Sequence, residues 1–171
     1  MLQWMTANTE ALKEAGVRLL CRHAEDLAVP YNWSTIMNSL YLAAFDEGIM
    51  VALDDREQVR AVMAYTFGTG EDDYEDRSRM EVHLLFIESG FRGGAALVEA
   101  MDALSERELE LPEPIGEVGF YCAPTERFRR LFGKFASIHN TTEHPCGVLD
   151  FHLTTPDRIR QYVADYTART P

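Results

Sequence analysis

Residues 80–104 constrain the chain more than any other stretch, because three different backbone habits follow one another there. The run Met80-Glu-Val-His-Leu-Leu-Phe-Ile87 is rich in β-formers and free of Gly and Pro. Glu88-Ser-Gly-Phe-Arg-Gly-Gly94 carries three glycines, and residues 95–104 then set Leu97, Val98, Met101 and Leu104 on one helical face. The pattern predicts a strand, a glycine turn and a helix. A helix fed by Gly93 and Gly94 presents free N–H groups and the positive end of its dipole, which suits a phosphate. A tight connection whose glycines only satisfy backbone geometry is the competing reading, and both stay open at this level.

The chain's 171 residues, 46% apolar and 26% charged, fit one domain spanning residues 1–171 with an ordinary core. No window approaches the ~18 consecutive apolar residues of a membrane span, and the opening Met-Leu-Gln-Trp-Met lacks the pattern of a signal peptide. A soluble cytoplasmic protein is expected, with no membrane partner. Cys21, Cys122 and Cys146 are odd in number and widely spaced, so neither a disulfide framework nor a metal site is indicated. A net charge of −12 argues against nucleic acid and for a basic partner.

Two amphipathic helices are expected within residues 9–47. Leu12, Leu19, Leu20 and Leu27 mark the first, which Val29-Pro30 ends. Asn32 caps the second, with Ile36, Met37, Leu40, Tyr41 and Ala44 as its apolar face and Gly48 as its stop. The sheet and remaining helices are expected over residues 49–169. Residues 49–53 and 59–67 read as a hairpin. Residues 71–76, with five acids in six positions, read as a solvated loop. A strand over 115–122 follows, then a helix opened by Pro124 with Phe128, Leu131 and Phe132 inward and Arg127, Arg129 and Arg130 in water. Strands over 136–139 and 147–155 flank a turn containing Asn140, Pro145 and Gly147, and Pro156 opens a last helix. The whole is an α/β (α+β) arrangement, a mixed sheet flanked by helices.

Two segments carry a resemblance to a known family. Val82-His-Leu-Leu-Phe-Ile87 followed by Gly90-Phe-Arg-Gly-Gly-Ala-Ala-Leu97 resembles the fourth strand and acyl-CoA loop of the GNAT (N-acetyltransferase) superfamily, with that loop one residue short. Arg130-Leu-Phe-Gly-Lys-Phe135 resembles the family's Leu-Tyr-Glu-Lys-Leu-Gly-Phe helix end. The likeness spans residues 49–155, the family's first strand before the helices reads as absent, and the compact Arg-Gly-Gly form is similar to divergent, bacteriophage-type members. The resemblance implies a GNAT-like fold that uses acetyl-CoA as acyl donor. It implies a pantetheine arm bonded by the backbone of Leu85, Phe86 and Ile87, and a pyrophosphate held by the amides of Arg92, Gly93, Gly94, Ala95 and Ala96.

Under the same resemblance, catalysis positions an amine against the thioester with a base and an acid. Glu81 and His83 lie two apart on one strand and share a face, so either is a candidate base, directly or through water. A core histidine and a solvated strand-end carboxylate are the competing readings. The family's tyrosine acid falls at Phe132, which has no proton to give; Tyr121, Cys122 and Ser137 are the substitutes at hand. Two functions remain. One is an N-acetyltransferase acting on a primary amine of a basic small molecule or protein, toward which the acidic loop would steer. The other is a catalytically inactive GNAT-like binding or structural protein, phage-encoded and directed at a host protein or a virion. A homodimer is the expectation for assembly, with the oligomeric state otherwise open.

Overall fold

The computed structural model describes residues 2–169. Its centre is one seven-stranded sheet of order β1-β2-β3-β4-β5-β7-β6. The strands are β1 (Gln3–Thr6), β2 (Ile49–Leu53), β3 (Val59–Phe67), β4 (Arg79–Ile87), β5 (Glu117–Cys122), β6 (Ser137–His144) and β7 (Gly147–Thr154). Every neighbouring pair is antiparallel except β4 and β5.

The helices form where local capping and periodicity direct them. In α1 (Glu10–Arg22) the Thr9 hydroxyl accepts the Leu12 amide, and in α2 (Trp33–Phe45) the Asn32 side chain accepts the Thr35 amide at 2.9 Å. Both pack on one face of the sheet, burying Leu20, Ile36, Val51, Val62, Leu84 and Phe86 together. The opposite face is covered by α3 (Ala96–Leu109), α4 (Glu126–Phe132) and α5 (Pro156–Arg169), with Met63, Tyr65, Met80, Leu104 and Ile159 beneath them.

Several expectations are corrected. On α2 only Ile36 and Leu40 of the expected apolar face are buried, joined by Ala43, while Met37, Tyr41 and Ala44 are exposed because they lie on the helix's outer side. The first strand is present: Gln3–Thr6 pairs along β2, Gln3 opposite Leu53 and Thr6 opposite Met50. The first helix stops at Arg22, with a 3-10 turn over Ala24–Asp26 in place of its predicted last turn. The fourth helix starts at Glu126 because the Thr125 hydroxyl accepts the Phe128 amide, which leaves Pro124 outside. β6 runs on through Asn140 to His144, since its side chains stand at an exposed edge where polar residues cost nothing, and the turn shrinks to Pro145 and Cys146. The acidic stretch is an exposed loop, as expected, and carries local order in addition. A 3-10 turn over Gly70–Asp72 is closed by a capping box between Thr69 and Asp72, and Arg79 lies 3.6 Å from both Glu71 and Asp72. Gly68 enters this loop at φ 82°, where a Cβ would meet the Tyr74 backbone at 2.6 Å.

Candidate active site

Two irregularities of β4 open the site. In the β3–β4 ladder Ala64 faces Leu84 but Tyr65 faces Val82, so His83 is an extra residue, a bulge on β4. The parallel contact with β5 covers only Arg79 to Glu81, opposite Glu117 to Gly119, after which the strands diverge. From Val82 onward β4 therefore has no partner on its β5 side. A cleft of about 450 Å³ fills the split, walled by His83, Leu85, Phe86, Phe120, Tyr121 and Phe132 among others. Gly119, opposite Glu81 in the ladder, leaves room for the Phe151 ring of β7: a Cβ there would lie 2.6 Å from it.

At the apex Glu81 and His83, two residues apart on β4, stand side by side. They are 3% and 7% exposed. Glu81 Oε2 accepts the Gly70 amide at 2.6 Å, Glu81 Oε1 lies 3.3 Å from His83 Nδ1, and His83 Nε2 lies 2.8 Å from Thr66 Oγ1. Burial pushes the Glu81 carboxyl up to about 7, reinforced by the charges of Asp72 and Glu71 and opposed by the Gly70 amide. Burial drives the His83 imidazole down to about 4. The pair thus holds its proton in a form with no net charge on either side chain over mildly acidic pH, and titrates as a unit. His83 lines the cleft while Glu81 sits behind it.

Three tyrosines surround this carboxylate, and none of their groupings is visible in the sequence. Burial, with the Glu81 charge as the next cause, raises the phenols of Tyr31 and Tyr74, and pushes Tyr121 up to about 12. Tyr74 approaches His83 with ring centroids 6.2 Å apart. The Tyr74 hydroxyl and Glu81 Oε2 lie 3.3 and 3.6 Å from the point a Gly70 Cβ would occupy, so Gly70 leaves room beside the carboxylate. Tyr121 also lines a second cavity of about 490 Å³, bounded by Gly70, Glu71, Asn140, Thr141 and Glu143. It stands between the two spaces.

The other candidates separate by position. Phe132 packs against Phe120, Phe135 and His152 and has no donor. Cys122 lines the cleft, but its thiol is pushed up to about 12 by burial and sits 3.2 Å from His152 Nε2. Ser137 bonds the Arg158 guanidinium at the surface and is not part of the cleft lining. The three arginines expected in water are exposed; Arg129 also forks onto Asp150 at 2.7 and 3.0 Å, and Arg127 reaches the cleft wall.

The glycine loop is wound into turns. The amide of Arg92 donates to Ser89, that of Gly93 to Phe91 and that of Ala96 to Gly93, whereas the amides of Gly94 and Ala95 carry no backbone bond. Arg92 Nε donates to the Ile87 carbonyl at 2.6 Å and its guanidinium lies 5.2 Å from the Phe86 ring. Arg60, bonded to Asp54 and Glu88, anchors the start of the loop from below.

No protein-family model and no curated protein sequence matches the chain. Solved structures do. Mosquito arylalkylamine N-acetyltransferase-like 5b superposes with TM-score 0.68 at 11% identity, covering 91% of this chain and 100% of that one. The polyamine N-acetyltransferase of Drosophila melanogaster, which forms N-acetylagmatine, gives 0.66 at 12% identity over 91% and 100%. The aminoglycoside acetyltransferase AAC(6')-Ib, solved with coenzyme A and kanamycin, gives 0.60 at 16% identity over 94% and 97%. The chain has the GNAT acetyltransferase fold.

Proposed function

We propose that the protein is an acyl-CoA-dependent N-acetyltransferase whose acceptor is the primary amine of a cationic molecule. The observation that carries this reading is the coincidence of the buried Glu81–His83–Thr66 chain with the apex of the β4/β5 split. The residues present fit the donor. The unpaired edge of β4 at Leu85 and Phe86 offers backbone groups to a pantetheine arm, and the unbonded amides of Gly94 and Ala95, beside the exposed Gly93 and Gly94, suit a pyrophosphate. Ile87 contributes less, because Arg92 already takes its carbonyl. Arg92, Gly93 and Ala96 frame the turn with amides that are engaged within it. Acetyl-CoA, when bound, supplies a thioester whose carbonyl carbon the amine attacks, with release of the thiol.

The chain's own residues handle protons and orientation. An ammonium acceptor is drawn to the Glu81 charge and to the outward acids Asp73 and Glu75. Its proton passes to the Glu81–His83 pair, directly or through water, with the Gly70 amide and Thr66 hydroxyl holding the two side chains in register. Tyr121 keeps its proton at neutral pH and stands where it can hydrogen-bond a departing thiolate, the role Phe132 cannot take. The inactive alternative loses one of its supports, since the first strand is present.

Thermal melting with acetyl-CoA tests the donor: a ligand at ~100 times its dissociation constant adds about 2.7 kcal/mol. No shift at millimolar concentration would refute the reading. Gly94→Leu should abolish the shift while the unliganded protein melts as before. With a panel of amines and thiol detection, Glu81→Gln should lower turnover by about 10²–10⁴; full activity in both Glu81→Gln and His83→Ala would remove the pair from the mechanism.

A further inference from the structure

The outer side of α2 carries an apolar ridge that nothing in the described chain covers. Trp33, Met37, Tyr41 and Phe45 recur at every fourth residue and are 53%, 51%, 70% and 80% exposed. Ile36, Leu40 and Ala43 on the same helix face the core, so the ridge is not needed for folding. At 1.5 Å per residue it runs about 18 Å along the surface. Single exposed apolar residues are ordinary, but four large ones in line are not. With roughly 200 Å² for each such side chain fully exposed, they leave about 500 Å² in water. That is most of the ~800 Å² that a stable interface removes from each partner.

Charge indicates what covers it. α2 contains no Asp, Glu, Lys or Arg over its 13 residues, in a chain that is 26% charged and carries a net −12. A basic protein, which the rest of the surface attracts, finds no counter-charge here. A second copy is repelled elsewhere and meets the least repulsion at this helix. Rows of residues four apart are also self-complementary, interdigitating at about −50° when the ridges of two helices pack together. We infer that the Trp33–Met37–Tyr41–Phe45 ridge is the interface of a two-fold homodimer, with the axis passing near the middle of the ridge, between Met37 and Tyr41. The contact is isologous, each copy using the same patch.

Sedimentation and light scattering from micromolar to hundreds of micromolar protein test this. The wild type should reach twice the chain mass of 19.4 kDa. Tyr41→Glu and Tyr41→Lys should each be monomeric with unchanged far-UV dichroism, because the side chain is exposed and supports no core contact. Mixing the two variants should restore the dimer, as opposite charges now meet across the axis; Phe45→Glu should repeat the loss from the ridge's end. A wild type that stays monomeric throughout, including one that captures some other protein on α2, overturns the inference. So does a dimer that persists in all three variants, or an equimolar mixture of the two Tyr41 variants that stays monomeric.

Discussion

The Glu81–His83 pair makes a prediction about stability that separates its two members. In the folded protein Glu81 titrates at about 7 against an ordinary 4.5, and His83 at about 4 against an ordinary 6.5. Between pH 4.5 and 6.5 the folded pair holds one proton, on the carboxyl. The unfolded pair also holds one, on the imidazole. Equal proton counts give no slope, so the pair contributes nothing to the pH dependence of wild-type stability in that window. Glu81→Gln breaks the balance. Glutamine can still accept the Gly70 amide and donate to His83 Nδ1, so the polar contacts survive. Now the folded state holds no proton and the unfolded state one, and stability should rise with pH from about 4 to 6.5. At about 1.4 kcal/mol per pH unit, the rise is about 3 kcal/mol. His83→Gln leaves the raised carboxyl alone. Its folded form keeps a proton that the unfolded chain has lost, so stability should fall by about 3 kcal/mol from pH 4.5 to about 7. Urea unfolding followed by far-UV dichroism at a series of pH values, with wild type subtracted, measures both slopes. Parallel profiles for all three proteins would refute the protonation scheme and with it the pair's fitness as a base.

Two further outcomes follow from packing. Arg129→Ala should lower stability, because Asp150 is buried and keeps only the Thr141 hydroxyl at 2.7 Å, with solvent around the half-exposed Arg129 limiting the loss; the shift in urea midpoint reports it. The same carboxyl is held below its ordinary 3.8, first by the Arg129 bond, so its contribution is present above that pH and lost as pH falls through the folded value. Gly119→Ala should cost about 1–3 kcal/mol by pressing a methyl into the Phe151 ring, read as a lowered melting temperature that Phe151→Leu in the same chain partly restores.

The central strand, turn and helix were legible because their signals are local. The ends of β2 and β3 are those that the alternation of Val59, Ala61 and Met63 implies, and Asn32 caps as its type suggests. What escaped depends on partners distant in sequence. The four residues of β1 have no periodicity of their own and are strand only because β2 lies beside them. β6 looks like a turn because Asn140, Thr141 and Thr142 are polar, yet an edge strand beside β7 tolerates them. At the site, Glu81 and His83 could be named from their spacing. The bulge at His83 cannot, nor can Thr66, which bonds His83, or Gly70, Tyr31 and Tyr74, which approach the carboxylate from elsewhere in the chain. The one local hint was the Gly68-Thr-Gly70 run before the acids.

The split in the sheet also gives this protein an edge strand in its interior. Its two outer edges are blunted in ordinary ways, β1 by its brevity and β6 by polar side chains. The edge of β4 from Val82 to Ile87 is protected differently. It lies recessed between the segment at Leu27 to Val29 on one side and the aromatic rings of α4 on the other. The unpaired backbone groups of β4 are thereby kept from pairing with another sheet edge without any blunting by charge or proline.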